Sequence, residues 1–152
     1  MLDPLFFYID MSTLKKKVAE MIPAHLVIMD IVENIPQSKV TIIIDGPVPV
    51  DLQTTANITK TIRNSGLLDK IYTDGFRLEV TSPGLDAPLT YPFQFKKNKG
   101  KIVRVRQMGE LESSIFKIHD VKDKSFVALS MDGVKSHLQF DNIESAFVEI
   151  KF

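Results

Sequence analysis

The sequence predicts an α+β chain: an α-β-β-α-β two-layer sandwich followed by a small Sm-like or SH3-like β-barrel. Three observations carry this reading. The first is a change of hydrophobic period. Residues 1–90 mix helix-like and strand-like stretches, whereas residues 91–152 hold five short runs and no helical period of useful length. The second is charge. Residues 1–90 carry eight basic against eleven acidic side chains and residues 91–152 carry eleven against eight, so a net charge of zero hides halves of −3 and +3. The third is the stretch 81–89, Thr-Ser-Pro-Gly-Leu-Asp-Ala-Pro-Leu, placed where the pattern switches. The expected organisation is an N-terminal extension over 1–11, the sandwich over 12–86 and the barrel over 87–152.

Each element has a local cause. Ser12 is expected to cap a helix whose apolar positions Leu14, Val18, Met21 and Ile22 share one face, with Pro23 ending it. Residues 26–32 form a short, β-branched apolar run and read as a buried strand. After a turn at 36–38, residues 40–45 alternate as a second strand, its antiparallel neighbour. Asp51 caps a second helix through Leu52, Ala56, Thr59 and Ile62, ending near Gly66. Residues 76–81 alternate as a third strand. The second half offers strands at 102–107, 115–121, 125–130, 134–140 and 146–151, separated by turn residues. A small closed or half-closed barrel of five short strands removes most exposed edges.

Composition bounds the function. With 152 residues, 44% hydrophobic and 25% charged, the chain is of ordinary globular type. The absence of Cys excludes a disulfide scaffold, a thiolate metal site and a Cys nucleophile, and it fits a reducing cytoplasm. Zero net charge argues against a purely electrostatic nucleic-acid binder. No apolar run reaches membrane-spanning length. Residues 1–11 are apolar but carry Asp3, Pro4 and Asp10 and no basic start, so they read as a packing extension or a docking strand rather than a signal peptide. His25, His119 and His137 lack metal-ligand spacing, and nucleophile-elbow, P-loop and dinucleotide motifs are missing. Asp45 and Asp51 flank a loop, where capping accounts for them. Neither catalysis nor a cofactor or metal is expected.

Two features rise above this background. Lys96, Lys97, Lys99, Lys101, Arg104 and Arg106 place six cations in eleven residues with no acid among them. Arg104 and Arg106 project from one face of a strand whose Val103 and Val105 face inward, and a turn at Gly100 raises the lysines at the rim. Such a patch suits phosphate, and Tyr91, Phe93 and Phe95 just upstream could stack on bases. The competing reading is that the aromatics fill the barrel and the cations are its solvated face. The second feature is the elbow Ser82, Pro83, Gly84, Leu85 and Asp86. Pro83-Gly84 suits the centre of a turn with φ > 0 at Gly84, and Leu85 and Leu89 would anchor it on both modules. It is read as a stiff interdomain elbow or a partner contact.

The stretch 76–89, Phe-Arg-Leu-Glu-Val-Thr-Ser-Pro-Gly-Leu-Asp-Ala-Pro-Leu, resembles the signature of the bacterial ribosome maturation factor RimP family. An Ile-Ile-Ile-Asp-Gly strand end at 42–46, a helix after it and a basic strand beyond the elbow extend the resemblance over 12–152. It implies an α/β domain and an Sm-like barrel in a non-enzymatic, cytoplasmic assembly factor that binds the immature small ribosomal subunit. It also implies a ribosomal protein near the decoding region as partner, and it carries site residues over to Ser82–Asp86. Contact with ribosomal RNA and a monomeric state are expected from the charge pattern and the two-module reading. Ala87 departs from the family's usual Arg, Asp51-Leu52 is less acidic than the family's run, and residues 1–11 have no clear counterpart. Two other classes stay open on sequence: an Sm-like RNA-binding regulator and a small enzyme with a site between the modules.

Overall fold

The computed structural model describes residues 11–150. The expected extension therefore lies, but for Met11, outside the described residues. The chain divides into two compact units, residues 1–83 and 84–152.

In the first unit the element order is α1 (Met11–Ala19), β1 (Val27–Asn34), β2 (Lys39–Asp45), α2 (Leu52–Ser65) and β3 (Arg77–Thr81). Leu14 and Val18 bury one face of α1. Ser12 lies inside this helix rather than capping it, and the helix stops at Ala19, so Met21 and Ile22 pack from the turn that follows. The start of α2 follows the sequence: the Asp51 carboxylate accepts the Thr54 N–H at 2.8 Å. Gly66 ends α2 at φ +73°, a left-handed position that favours glycine. The sheet order is β1-β2-β3, with β1 antiparallel and β3 parallel to β2. The parallel pairing follows from α2, which carries the chain back to the start of the sheet. Val40, Ile42 and Ile44 of β2 join Leu14, Val18, Ile58 and Ile62 in one core. Each buried Val or Ile contributes about 1.5–3 kcal/mol. Where β1 and β2 meet, a Cβ on Gly46 would stand 2.8 Å from Leu26 Cδ2 and 3.2 Å from the His25 carbonyl, so the Asp45-Gly46 end of β2 has no room for a side chain.

The second unit contains α3 (Pro92–Lys97), β4 (Ile102–Gln107), β5 (Ser114–Val121), β6 (Ser125–Leu129), β7 (Lys135–Gln139), a 3₁₀ turn (Phe140–Asn142) and β8 (Ile143–Val148). Here the structure corrects the sequence twice. Residues 92–97 are helical although no helical period was legible. The five strands form a ladder in the order β7-β6-β5-β4-β8, not a closed barrel: β7 and β8 are not paired with each other among the described residues. The reason lies in the three-residue 3₁₀ turn. It sends the chain across to β4 instead of back along β7, and β8 begins three residues before the expected start. Phe95 from α3 fills the core beside Phe126 and Phe140, with ring centroids 5.0 Å from each. Val103, Val105, Ile118, Ala128 and Ala146 complete it.

Candidate nucleic-acid interface

The basic residues sit on two different surfaces of the second unit. Lys96 and Lys97 lie in the last turn of α3, and Lys99 and Lys101 on the turn into β4. That turn needs Gly100, at φ +88°, whose N–H donates to the Ile118 carbonyl at 2.7 Å. Arg104 and Arg106 lie further along, on the outer face of β4, with Val103 and Val105 buried behind them as the alternation requires.

What holds α3 in place is Gln94, which is 3% exposed. Its Oε1 accepts from the Thr90 N–H at 2.7 Å, the Tyr91 N–H at 3.0 Å and the Thr90 hydroxyl at 3.1 Å. Pro92 occupies the first turn, where its missing N–H costs nothing. The three upstream aromatics separate by role. Phe95 is core, as the competing reading had it. Tyr91 and Phe93 stack on each other at the surface, centroids 5.6 Å apart.

The six cations are not equally available. Arg104 grips Glu149 through two bonds, Nη2 to Oε1 at 2.7 Å and Nε to Oε2 at 3.2 Å, and reaches the Ser113 hydroxyl at 3.4 Å. Each partner holds the other's charge: Glu149 raises the Arg104 pKa further, and Arg104 lowers that of Glu149. Arg106 pairs with Glu144 at 3.1 Å. An open depression of about 510 Å³ is lined by both arginines with Leu111, Glu112, Ser113, Ser145 and Phe147. With Glu112, Glu144 and Glu149 around two guanidinium groups, this surface is not cationic. The sequence pattern missed this because Glu149 lies 45 residues from Arg104.

At the other surface Lys99 stands 3.5 Å from Asp120, and Lys122 stands 3.1 Å from its other oxygen. Lys96 and Lys101 are exposed and show no ion pair among the described residues. Lys117 is exposed on β5, opposite Ile102. Sequence reasoning missed Lys117 and Lys122. The alternation of β5 and the Lys122-Asp123-Lys124 turn were legible, but not the carboxylate that Lys122 shares with Lys99.

The elbow also departs from expectation. The Ala87 N–H donates to the Gly84 carbonyl at 3.1 Å, so Leu85 and Asp86 are the central residues of the turn, not Pro83 and Gly84. Gly84 does not have a positive φ. Leu85 is 82% exposed and anchors nothing, while Leu89 packs on the core of the second unit and its N–H donates to the Ala146 carbonyl at 2.8 Å. Ser82 and Asp86 are exposed and Pro83 is half-buried.

Comparison with known proteins agrees with the signature. The family model described as the RimP N-terminal domain matches residues 14–86. A ribosome maturation factor RimP of Flavobacterium psychrophilum is 32% identical over 113 residues, which cover 70% of this chain and 71% of that protein. The chain belongs to the RimP family. A second RimP, from Mycobacteroides abscessus, is 29% identical over 123 residues, covering 76% of this chain and 64% of that one. The chain thus spans just under two thirds of the mycobacterial relative. The family model ends at residue 86, and the longer matches to whole RimP proteins extend the likeness beyond it. Among the described residues no helix is long and apolar enough to cross a membrane, and no group of His, Asp and Glu is arranged to hold a metal ion. His25, His119 and His137 are all exposed.

Proposed function

We propose that this RimP-family chain is a cytoplasmic ribosome maturation factor that binds the immature small ribosomal subunit and assists its late assembly without catalysis. The observation that carries the reading is the 32% identity to a protein named ribosome maturation factor across most of both chains. Two partners are assigned to it, a ribosomal protein near the decoding region and ribosomal RNA. The lysines around the α3–β4 turn supply phosphate contacts, with Arg104 and Arg106 contributing less because each already has a carboxylate. The elbow offers Leu85 as an exposed apolar contact for the protein partner, flanked by Ser82, Pro83, Gly84 and Asp86. The second unit is read as a half-closed, Sm-like or SH3-like barrel. The strand order β7-β6-β5-β4-β8, with a 3₁₀ turn between the two end strands, supports this. The chain acts as a monomer. Binding energy stabilises one folding state of the precursor over others, a population shift with no bond made or broken.

The test is co-sedimentation of the purified chain with immature and mature small subunits at two salt concentrations. Preferential, salt-weakened association with the immature particle is expected. Equal association with both particles, or none, overturns the reading.

A further inference from the structure

We propose that Asp120 lies across the cationic corner of the second unit as a built-in competitor for phosphate, so that an RNA backbone must displace its carboxylate to be gripped by Lys99 and Lys122. The inference rests on the reading that this corner meets RNA, and it adds one residue to the contact, Lys122, and one that opposes it.

The geometry carries it. Asp120 Oδ2 is 3.1 Å from Lys122 Nζ, and Oδ1 is 3.5 Å from Lys99 Nζ. The two ammonium groups come from separate segments, the turn after α3 and the turn after β5, and meet only at this carboxylate. A planar pair of oxygens between two ammonium groups is also how two non-bridging phosphate oxygens would sit. The site is open: the side chains of Lys99, Lys122 and Asp120 are 56%, 59% and 42% exposed, so both pairs are in exchange with solvent. Lys101 precedes β4, and Lys117 is exposed on β5 opposite Ile102, the first residue of β4. Besides Asp120, the acid of these turns is Asp123.

Asp120 also has a reason to stay where it is. Oδ1 accepts the N–H of Val121 at 3.0 Å, just after the bulge that interrupts the β5–β6 register between Ile118 and Asp120. That fixes the carboxylate on the strand rather than on a mobile tip. Its pKa is lowered to about 2, first by the Lys122 hydrogen bond and then by the Val121 N–H, so the carboxylate is charged throughout the neutral range. The opposition is therefore constant with pH near neutrality, and salt or a polyanion is what relieves it. The Arg104–Glu149 pair differs, because its two bonds make the carboxylate a fixed partner rather than a displaceable one.

The experiment measures binding of the full chain to an unstructured RNA oligonucleotide by fluorescence anisotropy across a salt series. The variants are Asp120→Asn, Lys99→Gln with Lys122→Gln, and all three changes together. Asparagine keeps the acceptor for the Val121 N–H. With the carboxylate neutralised, both lysines become available for phosphate, and the slope of log K against log salt should steepen by about 1.4, roughly 0.7 per phosphate on a single strand. Affinity at low salt should rise about fivefold. The triple variant should lose that gain. Unchanged or weaker binding by Asp120→Asn, while the parent binds RNA, overturns the competitor role and leaves the RNA reading standing. A gain that survives in the triple variant also overturns it, since Lys99 and Lys122 would then not be the released groups. If neither the parent nor Asp120→Asn binds RNA, both readings fall. Binding by Asp120→Asn alone supports the competitor directly.

Discussion

Gln94 is the residue on which the cationic corner depends, although it carries no charge. Its side-chain oxygen takes two backbone N–H groups, those of Thr90 and Tyr91, and the Thr90 hydroxyl. Both N–H groups stand at the start of α3, where the helix cannot satisfy them itself. Gln94→Leu fills the same space but removes the acceptor. Two part-buried donors are then orphaned, at about 1–2 kcal/mol each because both keep some access to water, so a loss of about 2–4 kcal/mol is expected. Gln94→Glu keeps an acceptor oxygen at the third position of the helix, where an acidic side chain is favoured, and should hold stability within about 1 kcal/mol of the parent. The assay is urea unfolding followed by circular dichroism, together with hydrogen exchange at the amides of Phe95 to Asn98. Exchange reports α3 directly, which matters because a chain of two units need not unfold in one step. If Gln94→Leu is as stable and as slowly exchanging as the parent, the Thr90 and Tyr91 donors are satisfied by water. Gln94 would then not be what positions Lys96 and Lys97.

Other expected outcomes follow from the same contacts. Lys96→Gln with Lys101→Gln should lower the salt slope of association with the immature subunit by about 1.4–1.8, whereas Arg104→Gln with Arg106→Gln should change it little; equal effects in the salt series would restore the arginines as phosphate ligands. Gly84→Ala should cost less than about 0.5 kcal/mol by urea midpoint, because an added Cβ meets only the free end of Asp86 at 3.0 Å, whereas Gly100→Ala, at φ +88°, should cost about 1 kcal/mol. Asp120 is held at about 2 mainly by Lys122, below the usual ~3.9 of an aspartate, so on acidification the unfolded chain takes up the proton first. The stability this group contributes is complete above about pH 4 and is lost toward pH 2. The urea midpoint of Asp120→Asn should therefore fall less over that interval, with parallel curves above it, and identical curves throughout would contradict the depressed value.

The elements legible in the sequence were those whose cause is local. Asp51 and Gly66 mark the ends of α2 because a capping carboxylate and a left-handed glycine act within one turn. Residues 102–107 read as a strand because Val103 and Val105 alternate with Arg104 and Arg106, and β4 has those bounds. What failed depended on partners far along the chain or on elements too short to show a period. α3 has six residues, fewer than two turns, and its signals, Pro92 and Gln94, are capping signals that a search for periodicity passes over. The turn at the elbow was placed two residues early because Pro-Gly is a strong turn pair. The hydrogen bond from Ala87 to Gly84 instead centres the turn on Leu85-Asp86.

The cationic run shows why a charge count along the chain is a poor guide to a binding surface. Six cations without an acid between 96 and 106 read as one patch, but strand pairing decides which of them keep a free field. β8 lies against β4 and brings Glu144 and Glu149 to Arg106 and Arg104, which alternation had already turned toward the same face. Among the described residues, β8 pairs with β4 only from Val103 onward and does not reach the turn before it. There the acid that arrives is Asp120, shared between two lysines and partly open to water. The division is thus set by topology. Arg104 and Arg106, inside the ladder, are each paired with a carboxylate, whereas Lys96 and Lys101, at its end, show no ion pair among the described residues. If the second unit meets RNA as proposed, the salt sensitivity of binding is expected to reside at residues 96–101 and 122 and to depend little on the arginines that first drew attention to the patch.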